Sequence, residues 1–289
     1  MKEIVIISGK GGTGKTVITA SMAALAKNKV MGDCDVDASN LYLLLHPKVK
    51  EKHDFYAGLL PGMDLTKCNQ CGLCQEVCRF DAIEVFQGQT VIDSVSCEGC
   101  GLCALVCPQQ AIQMKENQCG EWYISETKYG PLVYARLGIA EENSGKLVSL
   151  VRQKAQEIAR KKNLELIIID GPPGIGCPLI ASISGANLAV VVTEPTLSGI
   201  HDLERVIKVT QHFGVKSVVI INKFDLNLEN SSRIEEFCGQ NSILIIGKIH
   251  FDNIITEALI KGLPVVEYSD NTVAKEITYI WQKIFKKFY

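Results

Sequence analysis

The sequence predicts an α/β fold, in which a mostly parallel sheet has helices on both faces and a small α+β domain is inserted into the chain. Two observations support this prediction. Apolar, β-branched runs of strand length alternate with stretches of helical periodicity in the first and last parts of the chain. Between them, at about residues 61–115, that alternation is replaced by short turns rich in cysteine and glycine.

The first element is "EIVIIS", which begins at Glu3 and has the continuous apolar pattern of a buried strand. A glycine-rich turn follows, and then "TVITASMAALAKN", whose apolar residues recur at helical spacing. Strand, loop and helix follow one another directly, which is the order of elements in parallel α/β units.

The same order returns after residue 160. Four further runs have the pattern of buried parallel strands, namely "LELIIID", "LAVVVTEP", "SVVIINKFD" and "ILIIGKI", and helical stretches such as residues 199–212 separate them. The C-terminal stretch "VAKEITYIWQKIFKKFY" has its apolar residues on one helical stripe. We expect this last helix to pack on the core of the domain.

Composition and charge exclude several classes of function. The chain has 289 residues and a formal net charge of −2, which gives no electrostatic footprint for nucleic acid or anionic lipid. Its opening residues have the pattern of an apolar strand, so we expect no cleavable leader, and no apolar run reaches the roughly 18 residues of a membrane helix. We therefore expect a cytoplasmic protein with no nucleic-acid partner and no stable membrane association. Its 12 cysteines favour metal or redox chemistry over disulfides in that reducing compartment.

Most of the cysteines belong to an internal repeat. The segments "CNQCGLCQEVCRFDAI" at 68–83 and "CEGCGLCALVCPQQAI" at 97–112 share a cysteine quartet, a Gly-Leu pair, a valine and a closing Ala-Ile. We assign residues 61–115 to the inserted domain and residues 1–60 with 116–289 to a discontinuous main domain. A pair of zinc sites is the alternative, but zinc favours cysteines in two pairs separated by a longer loop.

The repeated C-x2-C-x2-C-x3-C spacing resembles that of the bacterial two-cluster ferredoxins, which contain two 4Fe-4S clusters. In that family, three cysteines of one run and the last cysteine of the other run bind each cluster. The resemblance implies a first cluster on Cys68, Cys71, Cys74 and Cys107, and a second on Cys97, Cys100, Cys103 and Cys78. Arg79 departs from the family pattern, because a proline usually follows the last cysteine of a run.

The turn after the first strand, "GKGGTGKT", has the GxxxxGK[ST] spacing of a phosphate-binding loop. Backbone N–H groups at a helix N-terminus suit phosphate oxygens, with Lys15 at the β and γ phosphates and Thr16 as a ligand of Mg²⁺. The predicted nucleotide-binding residues of this loop are Gly9, Gly11, Gly12, Thr13, Gly14, Lys15 and Thr16. A glycine-rich turn without a ligand is the alternative, but the strand before it and the helix after it argue against this.

An additional lysine, Lys10, makes the loop similar to the deviant Walker A loop of the ATPase family that includes MinD, ParA, Mrp and the nitrogenase iron protein. In that family the lysine reaches across an ATP-bound dimer to the phosphates of the other subunit. The resemblance implies that ATP joins two copies of this chain, and that Lys10 then stabilises charge on the transferring phosphoryl group.

The same resemblance assigns roles to residues outside the loop. It implies that Asp35, in "GDCDVDASNL", orients the attacking water, and that Asp170, in "IIIDGPPG", is the carboxylate of the magnesium shell. The backbone of Gly174 is expected near the γ-phosphate, and Asn222, in "INKFD", at the adenine. The implied catalytic residues are Lys10, Lys15, Asp35 and Asp170.

Together the motifs indicate an ATP-hydrolysing iron–sulfur protein. Its nucleotide-dependent dimerisation would be coupled to electron transfer, or to the handling of iron–sulfur clusters, for an unidentified partner protein. Two alternatives remain: a spatial organiser of the MinD or ParA kind with redox-sensing clusters, and an electron carrier with a vestigial ATPase module. Cys177 follows Asp170 at the offset where the nitrogenase iron protein has a cluster ligand shared between subunits; a small packing residue is the alternative there.

Overall fold

The structure is a computed structural model, and it describes residues 1–138, 141 and 144–288. The strands are β1 Lys2–Ser8, β2 Lys29–Asp33, β3 Lys48–Met63, β4 Ile83–Phe86, β5 Gln89–Ile92, β6 Ile112–Thr127, β7 Gly130–Leu137, β8 Leu166–Pro173, β9 Leu188–Thr193, β10 Ser217–Asn222 and β11 Leu244–Ile249. The helices are α1 Lys15–Leu25, α2 Leu41–Leu45, α3 Leu73–Glu76, α4 Leu102–Val106, α5 Ser144–Lys161, α6 Cys177–Ile183, α7 Leu197–His212, α8 Leu228–Gln240, α9 Ile254–Ile260, α10 Val265–Tyr268 and α11 Thr272–Phe288, with a 3-10 turn at Phe224–Leu226.

The described chain divides into two compact units. The first unit consists of residues 1–53, 122–136 and 144–288. The second consists of residues 54–121 and the described part of 137–143. The second unit extends beyond the predicted range 61–115, because the long strands β3 and β6 continue past both predicted boundaries.

The first unit is built around a parallel sheet. Its neighbouring strands follow the order β11-β10-β9-β1-β8-β2-β7, and each of these pairs is parallel. β6 and β3 continue the order beyond β7. The predicted mostly parallel α/β fold is therefore confirmed. The carboxyl ends of β1, β2, β8 and β10 lie at the same edge, where open parallel sheets form their ligand sites.

Both faces of the sheet are buried, which explains why its strands are continuous apolar runs. Ile6 and Ile168 belong to a core that also contains side chains of α1 and α11. Their neighbours Val5 and Ile169, which alternate to the opposite face, are also fully buried, and α5 packs on β2 and β8.

The last helix packs as predicted. Ile277, Ile280, Trp281 and Ile284 of α11 are buried in the main core. No helix within the described ranges is long and apolar enough to cross a bilayer.

The second unit contains the two repeats, in which residues of the first repeat have counterparts 29 positions further along the chain. The amide of Asp64 in the first copy donates to the Ala111 carbonyl of the second copy at 2.7 Å. The amide of its counterpart, Asp93, donates to the Ala82 carbonyl of the first copy at 2.8 Å. Such reciprocal contacts show that the two copies are related by a pseudo-twofold arrangement. Ile83 and Ile112, which are counterparts, meet in one small core with several cysteines.

Candidate functional site

The phosphate-binding loop connects β1, which ends at Ser8, to α1, which begins at Lys15. Gly12 and Gly14 have φ of 79° and 88°, in the left-handed region that favours glycine. A Cβ on Gly14 would lie 2.4 Å from the Asn222 Nδ2 atom, so a larger residue cannot be accommodated without displacing that side chain. The first turn of α1 has no acidic residue, which leaves its amide end suited to an anion.

Asp170, near the end of β8, lies at the centre of a buried cluster of polar side chains. Its Oδ1 lies 3.1 Å from the Lys15 Nζ and accepts from the Thr19 hydroxyl at 2.9 Å, while its Oδ2 accepts from the Thr16 hydroxyl at 2.7 Å. The carboxylate is completely buried. Thr19 was not predicted from the sequence, although its position one turn after Lys15 on α1 indicates that both side chains share a helix face.

Lys15 lies between two carboxylates. Its Nζ is 3.3 Å from the Asp35 Oδ2, in addition to its contact with Asp170. Burial alone would lower the pKa of Lys15, but the surrounding carboxylates outweigh burial and raise it, so the ammonium stays charged. Burial raises the pKa of Asp35, and the neighbouring Lys15 opposes this rise.

Asp33 shapes the loop that contains Asp35. Its Oδ1 accepts from the Asp35 amide at 3.1 Å, and its Oδ2 accepts from the Ser39 hydroxyl at 2.7 Å and the Leu41 amide at 3.1 Å. Its carboxyl is completely buried, and burial, reinforced by the Asp170 charge, raises its pKa. The loop from β2 to α2 is therefore folded around this one side chain.

Lys10 has partners within its own chain. Its Nζ is 2.7 Å from the Glu194 Oε1 and donates to the Ser198 and Thr196 hydroxyls at 2.8 and 3.1 Å. Glu194 also pairs with Lys223 at 3.1 Å. Burial opposes ionisation of Glu194, but the two lysines outweigh it and lower the pKa of that carboxyl. These partners lie about 190 residues after Lys10, and no sequence motif indicated them.

A cavity of about 230 Å³ opens beside the phosphate-binding loop. Gly12 and Asn222 line it on the loop side, and Phe251, Ile255 and Leu259 line it on the other. Sequence reasoning found Asn222 but missed the three apolar residues, which follow β11. Only their location after β11 could have indicated them, because the end of β11 lies at the same sheet edge as the ends of β1 and β10.

Asn222 is 2% exposed and has one hydrogen-bonding group in use. Its Nδ2 donates to the Thr13 carbonyl at 2.7 Å, whereas its Oδ1 and the Thr13 hydroxyl have no protein partner among the described residues. Buried polar atoms without partners are uncommon and mark places where a ligand supplies the missing contact.

Two predicted ligands of the phosphate have other contacts here. The Gly174 amide, expected near the γ-phosphate, donates instead to the Ser8 carbonyl at 3.0 Å. The Lys10 ammonium, expected at the phosphates of another subunit, is paired with Glu194 as described above. In this conformation both groups are engaged in contacts within the chain.

In the second unit, four cysteines surround one cavity. Cys78, Cys97, Cys100 and Cys103 all line it, together with Phe80 and Leu102. The first of these comes from the first repeat and the other three come from the second, so the structure brings together the four cysteines that the resemblance assigns to one cluster.

The remaining repeat cysteines are Cys68, Cys71, Cys74 and Cys107. Cys68, Cys71 and Cys74 are neighbours. Burial raises the pKa of Cys74, and the nearby Cys68 and Cys71 thiols raise it further. Cys107 packs in the same small core as Cys74, Cys78 and Cys103, so that core contains cysteines of both predicted sets. All of these thiols are free.

Backbone amides also face the sulfurs. The Gly99 amide donates to the Cys97 Sγ at 3.5 Å, and the Ala111 amide donates to the Cys107 Sγ at 3.3 Å. No three His, Cys, Asp or Glu side chains of the described residues are grouped tightly enough for a single metal ion. A four-iron cluster binds its thiolates at separate corners and does not require that spacing.

The fold and the loop define a nucleotide-binding protein of the P-loop class. The chain belongs to the CobQ/CobB/MinD/ParA nucleotide-binding domain family, whose model matches residues 4–265. An uncharacterized protein of Methanocaldococcus jannaschii is 41% identical over 230 residues, which cover 78% of this chain and 79% of that protein. The septum site-determining protein MinD of Synechocystis is 26% identical over 271 residues, covering 91% of this chain and 81% of that protein.

Solved structures show the same fold. The cell division ATPase MinD of Pyrococcus furiosus matches with a TM-score of 0.58 at 18% identity, covering 99% of this chain and 98% of that one. A chain of the MinC:MinD cell division protein complex from Aquifex aeolicus matches with a TM-score of 0.60 at 19% identity, covering 99% of this chain and 97% of that one.

Proposed function

We propose that this protein is an ATP-hydrolysing iron–sulfur protein whose nucleotide-dependent dimerisation is coupled to electron transfer or cluster handling for a partner protein. The observation that carries the proposal is the cavity shared by Cys78, Cys97, Cys100 and Cys103 in the second unit of a P-loop protein. A nucleotide site and a thiol-lined cavity of this kind in one chain favour coupling between them.

The phosphate site supports ATP hydrolysis. The loop amides and Lys15 would bind the phosphates, and Thr16 with Asp170 would hold a Mg²⁺ ion, which supplies positive charge at the phosphate oxygens when bound. Asp35 lies on the loop next to Lys15 and would accept a hydrogen bond from the attacking water. On dimerisation, Lys10 would leave Glu194 and add a cation to the phosphates of the other subunit.

The base cavity supports adenine over guanine. The Nδ2 of Asn222 already donates one N–H to the Thr13 carbonyl, and its Oδ1 is an acceptor without a protein partner among the described residues. The adenine amino group is a donor and satisfies that acceptor, whereas the guanine O6 is itself an acceptor. Wild-type protein should therefore bind ATP more tightly than GTP, and Asn222→Ala should reduce that preference.

The second unit fits two four-iron clusters. Its donor set consists of cysteine thiols, which are the ligands such clusters require, and amide hydrogen bonds to the sulfurs are already formed at Cys97 and Cys107. When bound, the clusters supply one-electron redox chemistry. Cysteines of both predicted sets pack in one small core, which favours retention of the clusters.

The test is the ATPase rate of anaerobically reconstituted protein with its clusters oxidised and then reduced, with oligomeric state followed in parallel. Lys15→Ala is the control for contaminating hydrolysis. A change in turnover or dimerisation on reduction supports coupling between the two units. Unchanged turnover and dimerisation would refute the coupling, and absence of bound iron and sulfide would refute the clusters.

A spatial organiser is the second candidate. Several relatives that align over more than 90% of this chain, at 25–27% identity, are named septum site-determining protein MinD. This candidate predicts that ATP drives association with a large partner or surface whether or not the clusters are reduced. Cosedimentation with and without ATP, in both redox states, separates it from the first proposal.

A further inference from the structure

The strand β11 lies at one end of the sheet in the first unit. Among the described residues it pairs with β10 alone, and no strand follows it in the order of the sheet. The Ile246 carbonyl of β11 accepts a hydrogen bond from the Lys283 Nζ at 3.4 Å, which brings α11 beside the strand. An edge strand presents backbone N–H and C=O groups that can pair with an added strand.

A cavity of about 440 Å³ lies between this strand and the last two turns of α11. It is larger than the base cavity, which has about 230 Å³. The residues that line it are Leu244, Ile245 and Ile246 of β11, and Lys283, Lys286 and Lys287 of α11. We call this cavity the β11 groove and its three lysines the lysine row. Positions three and four apart share a helix face, so the lysine row forms one wall and β11 forms the other.

The charge of the lysine row is not neutralised within the described chain. No carboxylate of the described residues forms an ion pair with Lys283, Lys286 or Lys287, whereas Lys248 on β11 itself is paired with Glu235. Like charges three and four positions apart on a helix repel each other. The helix end favours cations in the last turn, where two of these lysines lie, but Lys283 precedes that turn. The groove therefore carries positive charge that the carboxylates of a ligand would neutralise.

We propose that the β11 groove binds an extended acidic segment of a partner protein, which adds to the sheet as a strand beside β11. Backbone hydrogen bonds with β11 would supply affinity, and side-chain contacts would supply specificity. Side chains of a strand alternate between its two faces, so every second side chain of the segment would point toward α11. Acidic residues at alternate positions would then meet the lysine row. This inference goes beyond the proposed function and depends on neither the nucleotide nor the clusters.

The two walls together favour a polypeptide over other polyanions. Phosphates of a nucleic acid or of a lipid surface would pair with the lysine row, but they offer no row of backbone N–H and C=O groups for a strand edge. The β11 wall is aliphatic, and Leu244 is 36% exposed there, which suits the apolar side chains of a polypeptide. β11 has six residues and extends about 20 Å, which is the length of an extended hexapeptide.

The test is fluorescence anisotropy of the full chain with a labelled, acetylated hexapeptide of alternating valine and glutamate. Wild-type protein should bind this peptide, and the affinity should fall as the ionic strength rises, because salt screens exposed charges. Two peptides of equal charge are the controls. One has three valines followed by three glutamates, and the other has the alternating sequence with all peptide nitrogens methylated. Each should bind at least about tenfold more weakly, since the first loses the alternation and the second loses the donors of a strand.

A charge-removing variant tests the wall of α11. It has glutamine throughout the lysine row, as Lys283→Gln, Lys286→Gln and Lys287→Gln. We expect its affinity for the alternating peptide to fall about tenfold, because three partly screened charge pairs are lost. The matched control removes the same charge at exposed lysines outside the groove, as Lys161→Gln, Lys208→Gln and Lys275→Gln. It should bind the peptide like the wild type, and circular dichroism checks that both variants are folded.

Four results would overturn the proposal. The first is no binding of the alternating peptide, and the second is an equal affinity of the two variants for it. The third is equal binding of the methylated peptide, which would indicate attraction between charges without strand addition. The fourth is tighter binding of phosphatidylserine vesicles or oligothymidylate than of the peptide, which would assign the lysine row to phosphate groups. None of these results depends on iron content or ATP turnover, so failure of this inference is distinguishable from failure of the proposed function.

Discussion

Replacing Glu194 by glutamine tests whether the chain holds Lys10 back from a second subunit. In this structure the Lys10 Nζ is 2.7 Å from the Glu194 Oε1, and the two side chains are only 29% and 15% exposed. If Lys10 must leave this partner to reach the phosphates of another subunit, each subunit loses one ion pair on dimerisation. Glu194→Gln removes that loss and should strengthen the dimer.

The magnitude follows from the exposure of the pair. A partly screened ion pair contributes about 0.7 kcal/mol. Two pairs are broken in each dimer, which gives about 1.4 kcal/mol, or about a tenfold lower dissociation constant. Thr196 and Ser198 remain to bind the Lys10 ammonium in the variant, so tenfold is the upper end of the expected effect.

Sedimentation velocity with a non-hydrolysable ATP analogue measures the dimer constant directly. Glu235→Gln is the control, because it removes the exposed ion pair of Lys248 without contacting the phosphate-binding loop. Lys10→Ala should keep ATP binding but lose ATP-dependent dimerisation and hydrolysis, and unchanged turnover in that variant would exclude the role across subunits. If Glu194→Gln weakens the dimer or leaves it unchanged, the restraint on Lys10 is refuted.

Three other predictions concern metal content, pH and packing. Cys68→Ala should lose one of two clusters and thus about half of the iron, whereas Cys177→Ala should keep all of it. Anaerobic iron analysis of the two variants measures this. Iron loss from the Cys177 variant would indicate a further cluster. Because burial raises the pKa of Asp33, the native state keeps a proton that the unfolded chain releases. The free energy of unfolding without nucleotide should therefore fall as pH rises from 3.8 toward the raised pKa. Asp33→Asn should flatten that slope in denaturant titrations, and an unchanged slope would assign it to other groups. Ile277 is only 1% exposed, so Ile277→Ala should lower the free energy of unfolding by about 2–5 kcal/mol. Lys275 is exposed, so Lys275→Ala should change that free energy by less than about 0.5 kcal/mol. Equal effects of the two variants would contradict core packing of α11.

Some of the site was predictable because its residues are close in sequence. The phosphate-binding loop extends only from Gly9 to Thr16, and its conformation depends on local backbone angles such as the positive φ of Gly12 and Gly14. The strand runs likewise predicted the parallel sheet, because their continuous apolar character reports burial on both faces.

The contacts of Lys10 within the chain could not be predicted from the sequence. Its resemblance to a family residue indicated a partner in another subunit, but Glu194 lies far along the chain and follows β9 at the same sheet edge. Strand order brings the two together, and no local pattern encodes strand order. The same reason applies to Phe251 and Leu259 of the base cavity, which follow β11.

The sequence by itself determined the loop chemistry, the class of fold and the division of eight cysteines into two repeats, since each depends on spacing within one segment. The tertiary structure decided which distant groups meet, such as Thr19 with Asp170 and Lys10 with Glu194. It also placed Leu105 in solvent, which its apolar character did not predict. Packing fixes such contacts and exposures, because they depend on the position of every element and not on the local chain alone.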